Sequence, residues 1–143
     1  MDLGEILRTA IDRVSDRQPV PQASIDASKL PISADRDRLF AVFYHVLRNA
    51  QDACDNDGRI EVTLKVADGV VEVEIADNGA GMSEQFMREQ LFKPFESTKG
   101  ADGMGIGAYQ AREYVRELSG DIRYESAPGN GTTVTISLPR VAR

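Results

Sequence analysis

A single cysteine, Cys54, leaves no partner for an internal disulfide and fits a reducing compartment. No apolar run approaches the roughly 20 residues needed to cross a bilayer. The opening segment MDLGEILRTAIDRVSDRQ is too polar for a signal peptide. Basic residues are in the minority, 17 against 23 acidic, and the resulting net charge of −6 argues against broad nucleic-acid binding, which needs a basic face. An acidic protein that binds a polyanion must do so with a local device, such as a helix N-terminus or one lysine. Internal repeats and low-complexity tracts are absent too. What remains is ordinary for a folded domain: 143 residues, 41% hydrophobic and 28% charged, enough for one sizeable core.

Periodicity divides the chain. Leu3, Ile6, Leu7, Ile11 and Val14 share one face of a helix running to about Asp16. Residues 18–31 hold three of the six prolines and read as a connector, with short strand candidates at 23–26 and 31–33. After Ser33 a long helix is expected over about 35–54, with acids in its first turn. Alternation then predicts two strands, around Val62, Leu64 and Val66 and around Val71, Val73 and Ile75, joined by the hairpin signal Asp68-Gly69. A short helix over about 83–90, a long loop over 92–105, a helix over 106–119 and strands at 121–126 and 132–138 complete the chain. Helices on one face of a sheet, an α+β or two-layer arrangement, are the expected result. A loop that long between helices is commonly a functional lid.

Four stretches carry chemistry. At ~100° per residue, Leu39, Phe40, Val42, Phe43, Val46, Leu47 and Ala50 face the sheet, and Tyr44, Arg48 and Gln51 fall opposite. His45, Asn49 and Asp52 form a polar stripe at the seam. A carboxamide oxygen there suits a hard cation such as Mg²⁺, and an imidazole one turn earlier can accept a proton or orient a hydroxyl. The same stripe also suits a solvated helix flank. Next, VEIADNGAGM ends a strand on Asp77. Its carboxylate can accept from an exocyclic amine such as that of adenine, and Gly79 and Gly81 would admit a flat base, although a plain polar turn reads the same way. Third, Gly103, Gly105, Ile106 and Gly107 lead into a helix with Lys99 upstream, an arrangement suited to phosphates or to a simple hinge. It matches neither a Rossmann fingerprint nor a P-loop. Last, Gly129-Asn130-Gly131-Thr132 is by itself a hairpin turn.

Taken in order, these stretches resemble the GHKL superfamily of gyrase, Hsp90, histidine kinases and MutL. They are most similar to the ATP-binding catalytic domain of bacterial sensor histidine kinases. HVLRNAQDA resembles the N box, DNGAGM the first glycine box, LFKPFESTK the F box, GMGIG the second glycine box and GNGT the last, over residues 3–138. The resemblance implies the Bergerat fold, a two-layer α/β sandwich with a mixed sheet covered on one face by helices, in one domain over 1–143. An N-terminal helix would span 1–17 and an ATP lid 92–105.

By the same resemblance Asn49 would ligate Mg²⁺, Asp77 would hold the adenine amine, and Thr132 would back it up. Gly79 and Gly81 would clear room for the base, with Asp52, Met82 and Ile106 also at the nucleotide. Lys99, Gly103, Gly105 and Gly107 would meet the phosphates, and Phe92 and Phe95 would fasten the lid. His45 would assist acid–base chemistry. Two positions depart from the pattern: Gln51-Asp52 where Lys-Tyr is common, which is nearer the nitrogen-regulator type of kinase, and Tyr109 where small aliphatics are common.

The implied function is transfer of the ATP γ-phosphoryl to a histidine on a dimerisation domain, then to a response-regulator aspartate. His45, the one histidine, lies in the ATP-site helix, so the chain reads as an excised cytoplasmic domain. It would be monomeric by itself and touch neither nucleic acid nor membrane, whatever anchors its parent. Other readings are a MutL-like or anti-sigma kinase ATPase, or a module that keeps the fold without catalysis.

Overall fold

A computed structural model describes residues 2–25, 32–67, 69–89 and 108–139. Helix α1 (Leu3–Val14) begins at Asp2, whose carboxylate accepts from the Gly4 N–H, and buries Leu3, Ile6, Leu7, Ala10 and Val14. Strand β1 (Gln22–Ser24) follows, then α2 (Arg36–Ala53). Asp35 caps α2, its Oδ1 accepting from the N–H groups of Asp37 and Arg38 at 3.0 and 3.1 Å. With Asp35 as its cap the helix covers Arg36–Ala53, close to the 35–54 expected. The strand expected at 31–33 does not form across its described part: Ile32 and Ser33 lie outside any strand, with Ile32 packed into the core. Pro31 supplies no N–H for a ladder, and the cap two residues beyond Ser33 redirects the chain.

The hairpin forms as its alternation predicts, β2 (Ile60–Ala67) against β3 (Val70–Asp77). Short α3 (Glu84–Glu89), α4 (Ala108–Glu117), β4 (Asp121–Ser126) and β5 (Thr132–Pro139) complete the described elements. The strands order β1-β2-β3-β5-β4, with β1 parallel to β2 and every other pair antiparallel, a mixed sheet. Helices α1, α2 and α4 share one core cluster with its inward residues, among them Val62, Val73, Ile75, Val134 and Ile136. This is the two-layer α+β architecture expected. Tyr114 is also buried in α4, and its hydroxyl accepts from the Asp35 N–H at 2.7 Å, tying α4 to the start of α2.

Two helix residues depart from the amphipathic reading: Phe40, expected toward the sheet, is only partly buried and stacks on Tyr44 under Arg13, and Gln51 departs further. Gln51, placed opposite the core face, is fully buried. Its Nε2 donates to the carbonyls of Val14, Arg17 and Pro19 at 2.8, 3.0 and 3.2 Å, and its Oε1 accepts from Arg48 Nη1 at 2.9 Å. The side of α2 away from the sheet is covered by the turn after α1. A buried polar group is stable there because both ends of the amide are bonded. Exchanging Gln51 for leucine keeps the volume and removes the donor from those buried carbonyls. We expect Gln51→Leu to lower the unfolding free energy by about 2–4 kcal/mol, seen as a lower urea midpoint at unchanged slope. A loss under about 0.5 kcal/mol, the range of ordinary surface substitutions, would show that water replaces the amide.

Candidate functional site

The sheet register sets one row of residues across one end: Ile60 opposite Asp77, Asp77 opposite Thr132, and Thr132 opposite Ser126. Asp77 has the same strand parity as Val71, Val73 and Ile75, so its side chain continues their inward stripe to the edge of the helix layer. The Gly79 N–H donates to Asp77 Oδ1 at 2.8 Å. Burial pushes the Asp77 carboxyl above its ordinary range, and the backbone N–H groups of Gly79 and Thr132 pull only partly back.

A cavity of about 360 Å³ opens between this row and α2. Its walls are Val46, Ala50, Ile75, Tyr124 and Val134, with Asn49 and Asp52 along the helix side and Asp77 and Thr132 from the strand ends. Gly81, Met82 and Phe86 form a further side. An apolar slot with a few convergent polar groups is the usual form of a small-molecule site. Burial also pushes the Tyr124 phenol upward, so this wall stays neutral.

The turn after β3 is stitched down on both sides. The Ala80 N–H donates to the Ala53 carbonyl at 2.9 Å, and the Gly129 N–H donates to the Ala80 carbonyl at 2.7 Å. The sequence reading expects Gly79 and Gly81 to clear room for a ligand; what approaches them most closely is the protein's own backbone. A Cβ at Gly79 would strike the Ala53 carbonyl. At Gly81 φ is +76° and a Cβ would strike the Ala127 carbonyl. Ser126, which the sequence reading passes over, is the knot of this end. Its Oγ accepts from the Met82 N–H at 2.7 Å, donates to the Gly131 carbonyl at 2.9 Å, and lies 2.8 Å from Thr132 Oγ1. Its inward parity with Ile122 and Tyr124 on β4 was the available signal.

Of the sequence-selected residues, Asn49, Asp52, Asp77, Gly81, Met82 and Thr132 converge on the one cavity. His45 and Gly79 do not line it but bond to residues that do. Asn49 Nδ2 lies 3.1 Å from His45 Nε2, so with the amide donating, the imidazole nitrogen accepts. That leaves the Asn49 carboxamide oxygen without a protein partner among the described residues, and it is an oxygen of the type Mg²⁺ prefers. Phe92, Phe95, Lys99, Gly103, Gly105, Ile106 and Gly107, with the expected lid, lie outside the described residues.

The raised carboxyl at Asp77 has a consequence for folding. The folded acid holds its proton more tightly than the unfolded one. Its contribution to stability is therefore greatest below the ordinary carboxylate range and is lost as pH rises from about 4 through the raised value. At neutral pH the ionised group opposes folding. Asp77→Asn keeps an oxygen for the Gly79 N–H and removes the charge. It should melt no lower than wild type at pH 7 and lack that acid-range slope in thermal melts across pH. A lower melting temperature at every pH would contradict this.

The same architecture recurs in known proteins. The mycobacterial sensor histidine kinase MprB superposes with a TM-score of 0.81 at 26% identity, covering 100% of this chain and 97% of that one. The catalytic domain of histidine kinase ThkA gives a TM-score of 0.78 at 24% identity over 98% of this chain and 93% of that one, a likeness of fold. The sensor histidine kinase ZraS of Klebsiella oxytoca is 35% identical over 97% of this chain. The signal transduction histidine-protein kinase AtoS of Escherichia coli is 36% identical over 82% of it. The chain spans only 31% and 19% of the lengths of those two relatives. The model of the "Histidine kinase-, DNA gyrase B-, and HSP90-like ATPase" family matches residues 34–142, from the residue before the α2 cap to beyond β5. On fold, sequence and family match together, this chain belongs to that ATPase family, as a catalytic domain of the sensor histidine kinase kind.

Proposed function

We propose that this domain binds Mg-ATP and donates its γ-phosphoryl to a histidine on a dimerisation domain of its parent, for relay to a response-regulator aspartate. The observation that carries the reading is the pairing of a half-buried carboxylate, Asp77, with an apolar slot that Asn49 of α2 also lines. The slot suits the faces of a purine, and Asp77 suits its exocyclic amine. Thr132, bonded through Ser126, supports that end. Mg²⁺ held by Asn49 would offset the phosphate charge.

His45 acts on Asn49 through the 3.1 Å contact, fixing which amide atom faces the cation. Lys99, Gly103, Gly105, Ile106 and Gly107 are proposed for the phosphates, with Phe92 at the lid, on the family resemblance. We propose residues 1–143 as one catalytic domain, with α1 (Leu3–Val14) as its N-terminal helix, shorter at both ends than the 1–17 expected, and, on the family resemblance, a lid at 92–105. Transfer of this kind depends on positioning and charge neutralisation more than on covalent chemistry. No helix among the described residues is long and apolar enough to cross a membrane. We place the domain in the cytoplasm, monomeric by itself, with the acceptor domain and the regulator as its partners.

Calorimetric titration with a non-hydrolysable ATP analogue tests the site. Saturable binding strengthened by Mg²⁺ is expected. Asp77→Asn should weaken it at least about tenfold through the lost charged acceptor, and Asn49→Ala should erase the Mg²⁺ dependence. Mixing the domain with the helix pair of its parent and labelled ATP should label a histidine there. Absence of binding by a folded wild type would refute the nucleotide site, and binding without transfer would refute the kinase assignment.

A further inference from the structure

The cavity is poorly charged for the ligand proposed for it. Its carboxylates are Asp52 and Asp77, its remaining titratable wall group is the neutral Tyr124 phenol, and no lysine or arginine lines it among the described residues. A polyanion entering such a slot meets like charge on two sides, and the cavity's low-dielectric walls weaken that repulsion little. Among the described residues a cation is nevertheless anchored to the lining. Arg17, in the turn after α1, places Nη1 2.8 Å from Asp52 Oδ1. Arg17 is held there from behind as well, because its carbonyl accepts from Gln51 Nε2.

We infer that Arg17 is a phosphate-binding residue of the nucleotide site, delivered to its rim by Asp52. The inference rests on the nucleotide reading above and adds a residue from outside α2 and the sheet. Three features carry it. Asn49 and Asp52 are three residues apart on α2, so their side chains are neighbours on one helix face. Arg17 bonded to Asp52 therefore stands one side chain away from whatever the Asn49 oxygen holds. The pair is partly exposed, with side-chain accessibilities of 45% and 32%, and ion pairs of that exposure are weak. The guanidinium has five N–H donors in a fixed fork, so it can keep one carboxylate contact and still take a phosphate oxygen. Its backbone is fixed by the buried Gln51 amide, so little of the turn has to be ordered when the ligand arrives.

The test measures affinities of an ATP analogue, ADP and adenosine for wild type, Arg17→Ala and Arg17→Lys, each also in an Asp52→Asn background. Melting temperatures serve as a check on folding. Loss of Arg17 should weaken the ATP analogue and ADP about tenfold, the scale of one charge-assisted contact, and leave adenosine unchanged. Lysine should restore part of the loss, as a charge without the fork. Asparagine at position 52 keeps an oxygen that can still accept from the guanidinium and removes only the charge, so in the Asp52→Asn background Arg17→Ala should still weaken the ATP analogue.

Equal weakening of adenosine and the ATP analogue would overturn the inference, because Arg17 would then only shape the pocket. Disappearance of the effect in the Asp52→Asn background would overturn it too, because Arg17 would then act solely by neutralising Asp52. A folded wild type that binds none of the three ligands would remove the nucleotide reading itself and Arg17 with it. Binding by the wild type that is indifferent to Arg17 removes the inference alone.

Discussion

The carbonyl of Ala53 is the point on which the site turns. It is the last residue of α2, and its oxygen accepts from the Ala80 N–H in the turn that follows β3. That single contact brings the end of a helix against the end of a strand, so a residue on α2 and a residue on β3 face each other across a fixed gap. It is possible only because position 79 has no Cβ. The second half of the turn is fastened by the Gly129 N–H on the Ala80 carbonyl and by Ser126 on the Met82 N–H. Apart from the Ser126 hydroxyl, the gap is thus framed by backbone hydrogen bonds, which side-chain variation elsewhere on the rim leaves in place.

The electrostatics of the site run against the stability of the fold. A carboxylate half-withdrawn from water at Asp77 opposes folding at neutral pH, and the fold tolerates it because the sheet row and the Gly79 N–H determine its position. The same partial desolvation serves the role proposed for this acid, since a hydrogen bond made where water is partly excluded discriminates between ligands more strongly than one made in water. The arrangement is of the kind expected where function and foldedness compete. On the far side of α2, Gln51 has the opposite character: a polar group that is fully bonded and that holds two segments together.

Most of the frame was legible because its causes are local. The β2–β3 hairpin follows from strict alternation and Asp68-Gly69, and α2 follows from its apolar period and an acidic first turn. Asp77 was legible as a parity argument: it lies on the inward stripe one step beyond Ile75. The residues that escaped are those whose role is set by distant partners. Gln51 sits at the wrong angle for a core residue, and only the turn after α1, 32 to 37 positions away, makes its burial favourable. Ser126 looks like an ordinary strand end until the register places it beside Thr132. Tyr114 is a core residue because the start of α2 needs an acceptor 79 positions away. The glycines were noticed for the right reason, close approach, but the nearest approaching group is backbone of the same chain.

Strand β3 is paired along all eight of its residues on both sides, with β2 and with β5. Its amides can therefore exchange with solvent only when the sheet as a whole opens, so in deuterium they should be among the slowest in the molecule. Asp77 is the last residue of that strand. The acid at the floor of the cavity thus belongs to the most persistent part of the native state, and partial openings that free α3 or β1 leave it where it is. Adaptation to a ligand must come from the other walls, while the floor keeps time with global unfolding.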